Sequence, residues 1–215
     1  MLKIKAFAFN PFQENTYVLH DETKECVIID PGCFDTSEKL ELTDFIASNG
    51  LRPVKLLNTH CHIDHVLGNA YCKRNFGIEL YAHKKDEPVL RAVKAYASNY
   101  GFAGYEESEI DHYIDEGDVV EFGSTSLDVL FVPGHAPGHV AFYHADTKQL
   151  MGGDVLFRQS IGRTDLPGGD HNTLIKSIHE KLFTLSDDVE VFPGHGETTT
   201  IGYEKVYNPF CGLKR

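Results

Sequence analysis

The sequence predicts an α+β fold in which stacked β-sheets are covered on their outer sides by helices. Strand-like apolar runs recur in two similar halves of the chain, and a helix-like stretch follows each group of runs. Asn-Gly and Pro-Gly pairs punctuate the ends of these runs, where the backbone must turn sharply. At 215 residues the chain fits one sizeable domain over 1–215, long enough to bury a real core. No low-complexity tract, long linker or short-period repeat interrupts it.

In chain order, strands are expected near 2–9, 15–20 and 25–30. The start, Met1-Leu2-Lys3-Ile4-Lys5-Ala6-Phe7, alternates as a strand does and lacks the charged-then-apolar layout of a secretory leader. A helix near 36–49 ends at Asn49-Gly50. Residues 54–59 read as a short apolar strand and 66–71 as the first turn of a helix. In the stretch 84–105, Val89, Val93, Tyr96 and Tyr100 share a helical face, followed by Gly101 and Gly104. That stripe suits either a packed helix or a lid hinged at the glycines. Strands near 111–121, 126–132, 139–144 and 149–153 follow, then a helix near 172–184 and a strand before His195.

Between the strand at 54–59 and the helix at 66–71 lies His60-Cys61-His62-Ile63-Asp64-His65, four side chains able to bind a divalent cation. A strand-to-helix loop holds such side chains on rigid supports. In extended chain, residues two apart point the same way, so His60 and His62 can face one cation. Cys61 then points elsewhere. Where the chain turns helical, Asp64 and His65 suit a second cation. Three later strand ends supply further donors: His135 after Pro133-Gly134, Asp154 after Gly152-Gly153, and His195 after Pro193-Gly194. Asp30, closing the run Cys26-Val27-Ile28-Ile29, is placed either to orient a ligand imidazole or to serve as a plain turn residue. His139 is either a support for a ligand or a packed loop histidine.

A net charge of −12 and a pI near 5.4 argue against nucleic-acid binding, which needs a clustered basic face. No apolar stretch reaches the length of a membrane span. Five cysteines, an odd count without a Cys-x-x-Cys pair, point to a reduced, cytoplasmic setting.

In order and spacing, the 60–65 cluster with His135, Asp154 and His195 resembles the metallo-β-lactamase superfamily, from Asn15-Thr16-Tyr17 through Pro193-Gly194-His195-Gly196-Glu197. Gly153-Asp154-Val155-Leu156-Phe157 and Ser160-Ile161-Gly162-Arg163-Thr164-Asp165 are similar to the glyoxalase II-like hydrolases, in the short form without a C-terminal helical domain. The resemblance implies a four-layer αββα sandwich of two mixed sheets with helices on the outer faces and metals at one edge. It implies that His60, His62 and His135 hold one divalent ion and Asp64, His65 and His195 a second, with Asp154 bridging. Zinc is the leading choice, with iron or manganese as alternatives. The implied reaction is hydroxyacylglutathione hydrolase-like: a hydroxide held between the ions attacks a thioester carbonyl, with Asp64 and Asp154 as catalytic carboxylates. The partner is then a small acyl-thioester or related thiol. Arg163, in a segment where the family carries Lys-x-Tyr, is expected to pair with a substrate carboxylate. The persulfide dioxygenases, which use one iron and O2, share the scaffold and the Gly-Arg-Thr-Asp segment and supply the alternative reading. A lactonase and a non-catalytic metal-binding protein are further alternatives.

Overall fold

The structure, a computed structural model, describes residues 1–213; the last two positions of the expected 1–215 domain lie outside them. Two six-stranded mixed sheets stack face to face. The first contains β1 (Lys3–Phe9), β2 (Glu14–His20), β3 (Glu25–Ile29), β4 (Arg52–Leu57), β5 (Leu80–Ala82) and β6 (His112–Tyr113), in that spatial order. The second contains β7 (Val119–Phe122), β8 (Thr125–Phe131), β9 (Val140–His144), β10 (Gln149–Gly153), β13 (Glu190–Pro193) and β14 (Thr199–Thr200). A small hairpin, β11 (Leu156–Phe157) with β12 (Ser160–Ile161), lies between β10 and β13 in sequence.

Period-two alternation builds the layers. In β3, Val27 and Ile29 join the core between the sheets, while Cys26 and Ile28 face the outer helices of the first sheet. In the second sheet, Met151 and Phe142 point inward, while Leu150 and Ala141 point to the other outer layer. Each large apolar side chain fully buried in this way contributes roughly 1.5–3 kcal/mol relative to exposure. The first outer layer is α1 (Thr36–Ser48), α2 (Ile63–Val66), α3 (Asn69–Phe76) and α4 (Glu87–Tyr96). The second is α5 (His171–Ser177), continued by a wider turn of helix at Ile178–Leu182, with α6 (Ile201–Tyr207). The expected αββα sandwich is therefore the observed one.

Local chemistry fixes the element ends. Asp35 accepts the Glu38 N–H at 2.9 Å while the Glu38 carboxylate accepts the Asp35 N–H, a reciprocal cap that starts α1. The end expected at Asn49-Gly50 is found there.

One expected strand is two. The stretch 111–121 breaks into β6 and β7, which belong to different sheets. Asp115 and Asp118 close a turn between them, the Asp115 N–H donating to the Asp118 carboxylate at 2.8 Å and the Asp118 N–H to the Asp115 carbonyl at 3.1 Å. This turn carries the chain from one sheet to the other. The stretch 84–105 forms a short 3-10 turn, α4 and a second 3-10 turn ending at Gly101. Among the described residues no helix is long and apolar enough to cross a membrane.

Candidate metal centre

The donor-bearing loops leave β4, β8, β10 and β13 at their C-terminal ends, so both sheets contribute to one edge of the sandwich. After β4, His60 and His62 lie on extended backbone and Asp64 and His65 on the four-residue helix α2. Cys61, facing the other way, is buried in the outer core.

Three imidazole nitrogens converge: His62 Nδ1 lies 2.8 Å and His60 Nε2 3.3 Å from His135 Nε2. Donors held about 2.0–2.1 Å from a tetrahedral ion sit roughly 3.3–3.4 Å from one another; the His60–His135 spacing matches that, while the His62–His135 pair is closer, at hydrogen-bonding distance. Two of the three far nitrogens are tied down. His135 Nδ1 donates to the Arg163 carbonyl at 2.8 Å, and His60 Nδ1 lies 3.1 Å from Thr59 Oγ1. Burial depresses all three pKa values, that of His60 well below its ordinary value and that of His62 to about 3. A neutral imidazole is the form that binds metal.

Asp64, His65 and His195 form a second group. His195 Nε2 lies 3.1 Å from Asp64 Oδ2, and His65 Nε2 lies 3.8 Å from that oxygen. Asp154 reaches both groups, with Oδ2 3.5 Å from His135 Nε2 and from His195 Nε2, and Oδ1 3.5 Å from His65 Nε2. Burial opposes the charge on Asp154, but His65, His135 and His195 hold its carboxyl well below the usual range. Burial likewise opposes the charge on His65, and Asp154 and Asp64 outweigh it, raising that pKa well above normal. The same negative field stabilises a metal cation. His65 Nε2 and Asp154 Oδ1 are buried without a hydrogen-bond partner, as expected of atoms reserved for a metal. The donor set therefore fits divalent metal.

Asp30 Oδ2 faces His65 Nδ1 at 3.2 Å, and its two oxygens also accept the Thr59 N–H and hydroxyl at 2.7 and 2.5 Å. His139 packs parallel to the His60 ring at 4.8 Å and accepts the Asp154 N–H at 3.0 Å through Nε2. Both residues thus touch candidates of the two donor groups, and Asp30 also forms a third cluster of possible donors with His60 and His65. Gly194 has no alternative: a Cβ there would meet Asp154 Oδ1 at 2.1 Å and His65 Cε1 at 2.7 Å.

The sequence reading missed three supports. Thr59 links Asp30 to His60. Asp86 accepts the Cys61 N–H at 2.7 Å and the Gly138 N–H at 2.6 Å, bracing two donor loops at once, and burial pushes its pKa up to about 6. Glu14, fully buried, puts Oε1 3.7 Å from His65 Nδ1. Asp86 reads in sequence as a helix cap ahead of Glu87-Pro88, and nothing local marks it as buried. Arg163 is also placed differently from expectation. Its guanidinium forms two 2.7 Å hydrogen bonds with Asp165, and its backbone carbonyl is what touches a ligand candidate.

A sandwich with convergent His and Asp donors at one edge defines a metal-site protein of the αββα class. The metallo-β-lactamase superfamily model matches residues 9–195, and the chain belongs to that superfamily. It is 37% identical over 215 residues to the hydroxyacylglutathione hydrolase GloC of Haemophilus influenzae, covering 99% of this chain and 100% of that one. It is 33% identical over 199 residues to the human mitochondrial persulfide dioxygenase ETHE1, covering 90% of this chain and 70% of that one. Among solved structures, the B3 metallo-β-lactamase BLEG-1 aligns with a TM-score of 0.88 at 37% identity, over 97% of this chain and 99% of that one. The di-iron-bound form of TTHA1623 aligns with a TM-score of 0.85 at 37% identity, over 96% and 99%.

Proposed function

We propose that this chain, acting as one domain, is a metal-dependent hydrolase that cleaves small acyl-thioesters at a binuclear centre. In this reading His60, His62 and His135 hold one divalent ion, Asp64, His65 and His195 hold the other, and Asp154 spans both. The observation that carries it is the Asp154 carboxylate, within 3.5 Å of one histidine in the first group and two in the second. When bound, the two ions polarise the substrate carbonyl and supply a hydroxide nucleophile at neutral pH. The chain's own residues do the positioning. Asp30 and the Arg163 carbonyl fix the His65 and His135 rings, and His139 fixes the Asp154 backbone. Asp64 and Asp154, both lining the cleft, orient the attacking water. A thiolate leaves without needing a proton donor, since a free thiol has a pKa of about 8.5.

The similarity to GloC supports a thioester substrate. Zinc, iron and manganese all suit His and Asp donors. Five buried free thiols support a reducing, cytoplasmic setting. The similarity to ETHE1 favours a second reading, a mononuclear iron persulfide dioxygenase, against which two full donor groups weigh.

Metal analysis with a substrate panel tests the proposal. The expected result is close to two ions per chain, hydrolysis of generic acyl-thioesters, and loss of both metal and activity in Asp154→Ala. One iron per chain with thiol-dependent O2 uptake supports the dioxygenase. A fully metallated protein inert on every thioester sinks the hydrolase reading.

A further inference from the structure

The cleft above the donor cluster has a volume of about 1100 Å³, and its walls differ in character from its floor. Helix α4 lies between the outer core and the cleft. Leu90 and Val93 are buried in that core; Val89 and Tyr96 pack against it and also line the cleft, beside Ala92. Positions 89, 92 and 96 recur at helical spacing, so they form one continuous strip. Phe157, Ile161 and Leu166 line the cleft as well. Ala92 is exposed on this side of the helix.

Charge is sparse by contrast. Lys85 and Arg163 are the cationic side chains among the described lining residues. The Arg163 fork is occupied by Asp165, and that pair has no net charge to offer an anion. Lys85 makes no ion pair among the described residues and lies 4.7 Å from the Phe131 ring. A glutathione arm brings two carboxylates and an ammonium group. Outside the metal donors, the lining gives it one unpaired cation and no carboxylate.

Resting on the hydrolase reading above, we propose that the substrate is a thioester with an unbranched apolar acyl arm lying along Val89, Ala92 and Tyr96, on a thiol other than glutathione. In biological thioesters the thiol carrier is polar and the acyl group holds the hydrocarbon, which assigns the strip to the acyl arm. Hydrolysis consumes one water: a C–O bond forms at the acyl carbon, the C–S bond breaks and sulfur leaves as thiolate; one proton of the water passes to the thiolate and the other to solvent, giving a carboxylate and a thiol.

The test uses the metallated full chain with N-acetylcysteamine thioesters of two, four, six and eight acyl carbons, beside S-lactoylglutathione. Burial of each methylene predicts a gain in kcat/KM of about two- to fourfold. The octanoyl ester should exceed S-lactoylglutathione by roughly tenfold or more. Ala92→Asp, at an exposed position, should lower the octanoyl-to-acetyl ratio by about tenfold, with its thermal midpoint confirming the fold. Turnover that is flat along the series, fastest on S-lactoylglutathione, or unchanged in ratio by Ala92→Asp overturns the inference and leaves the hydrolase reading standing. Calorimetry with the non-hydrolysable S-ethyl and S-octyl thioethers of N-acetylcysteamine decides the inference without turnover. The octyl compound should bind more than tenfold tighter. Equal affinity overturns the inference even where the whole thioester panel is inert, an outcome that by itself counts against the hydrolase reading.

Discussion

His139 donates nothing to either ligand group, yet its Nε2 is the acceptor for the Asp154 N–H in a buried setting. His139→Ala leaves that N–H without a partner and removes the ring stacked on His60. Groups that orient metal ligands typically contribute 10–100-fold in affinity, so chelator competition should show weakening of that size. His139→Gln, which keeps an acceptor, should recover part of it. A variant that loses thermal stability but keeps full metal affinity would instead give His139 a purely structural role. The sequence could not decide between these, because Pro137-Gly138-His139 specifies a turn and not the direction of the ring. Asp30 was no more legible: its place after the run 26–29 suited a ligand-orienting carboxylate or a plain turn residue equally, and the structure has it 3.2 Å from His65.

Elements with strict alternation or clear caps were readable. Residues 26–29 read as an apolar strand and sort between two apolar layers in the structure, and α1 was bounded by its Asn49-Gly50 stop. Elements defined by partners were not. β5 is three residues long, and the buried Leu80 and Ala82 count as strand because β4 and β6 flank them. The same limit hid Asp86, whose importance lies in joining the loop after β4 to the loop after β8. Asp86→Ala strands two N–H groups, at about 1–3 kcal/mol each. The expected result is a lower urea midpoint together with weaker metal binding. Unchanged affinity in a folded variant would mean that the two loops are held by their own strands.

Asp21 joins the sheets at the end of the molecule where the β2–β3 and β7–β8 turns meet. Its carboxylate accepts from Thr23, from the Ser124 N–H and hydroxyl at 2.6 and 3.0 Å, and from Thr125. Burial opposes its charge, but these hydrogen bonds outweigh burial and hold the pKa well below the usual carboxylate range. The folded value lies below the unfolded one of about 3.9. The stabilisation is therefore complete above that pH and is lost as pH falls through the folded value. Asp21→Asn should destabilise the protein at pH 7, and the gap to wild type in denaturation midpoint should shrink below about pH 4. A gap that is constant with pH would assign the effect to shape rather than charge.

Asn15 and Tyr17 hold the carbonyls of Pro193 and Gly194, and Phe12 the His195 ring. In synthesis these partners are separated by nearly the whole chain. A ribosome adding about 5–20 residues per second exposes His60 to His65 long before His195 emerges. The group of His60, His62 and His135 can therefore assemble first, and the group of Asp64, His65 and His195 only when the chain is nearly finished.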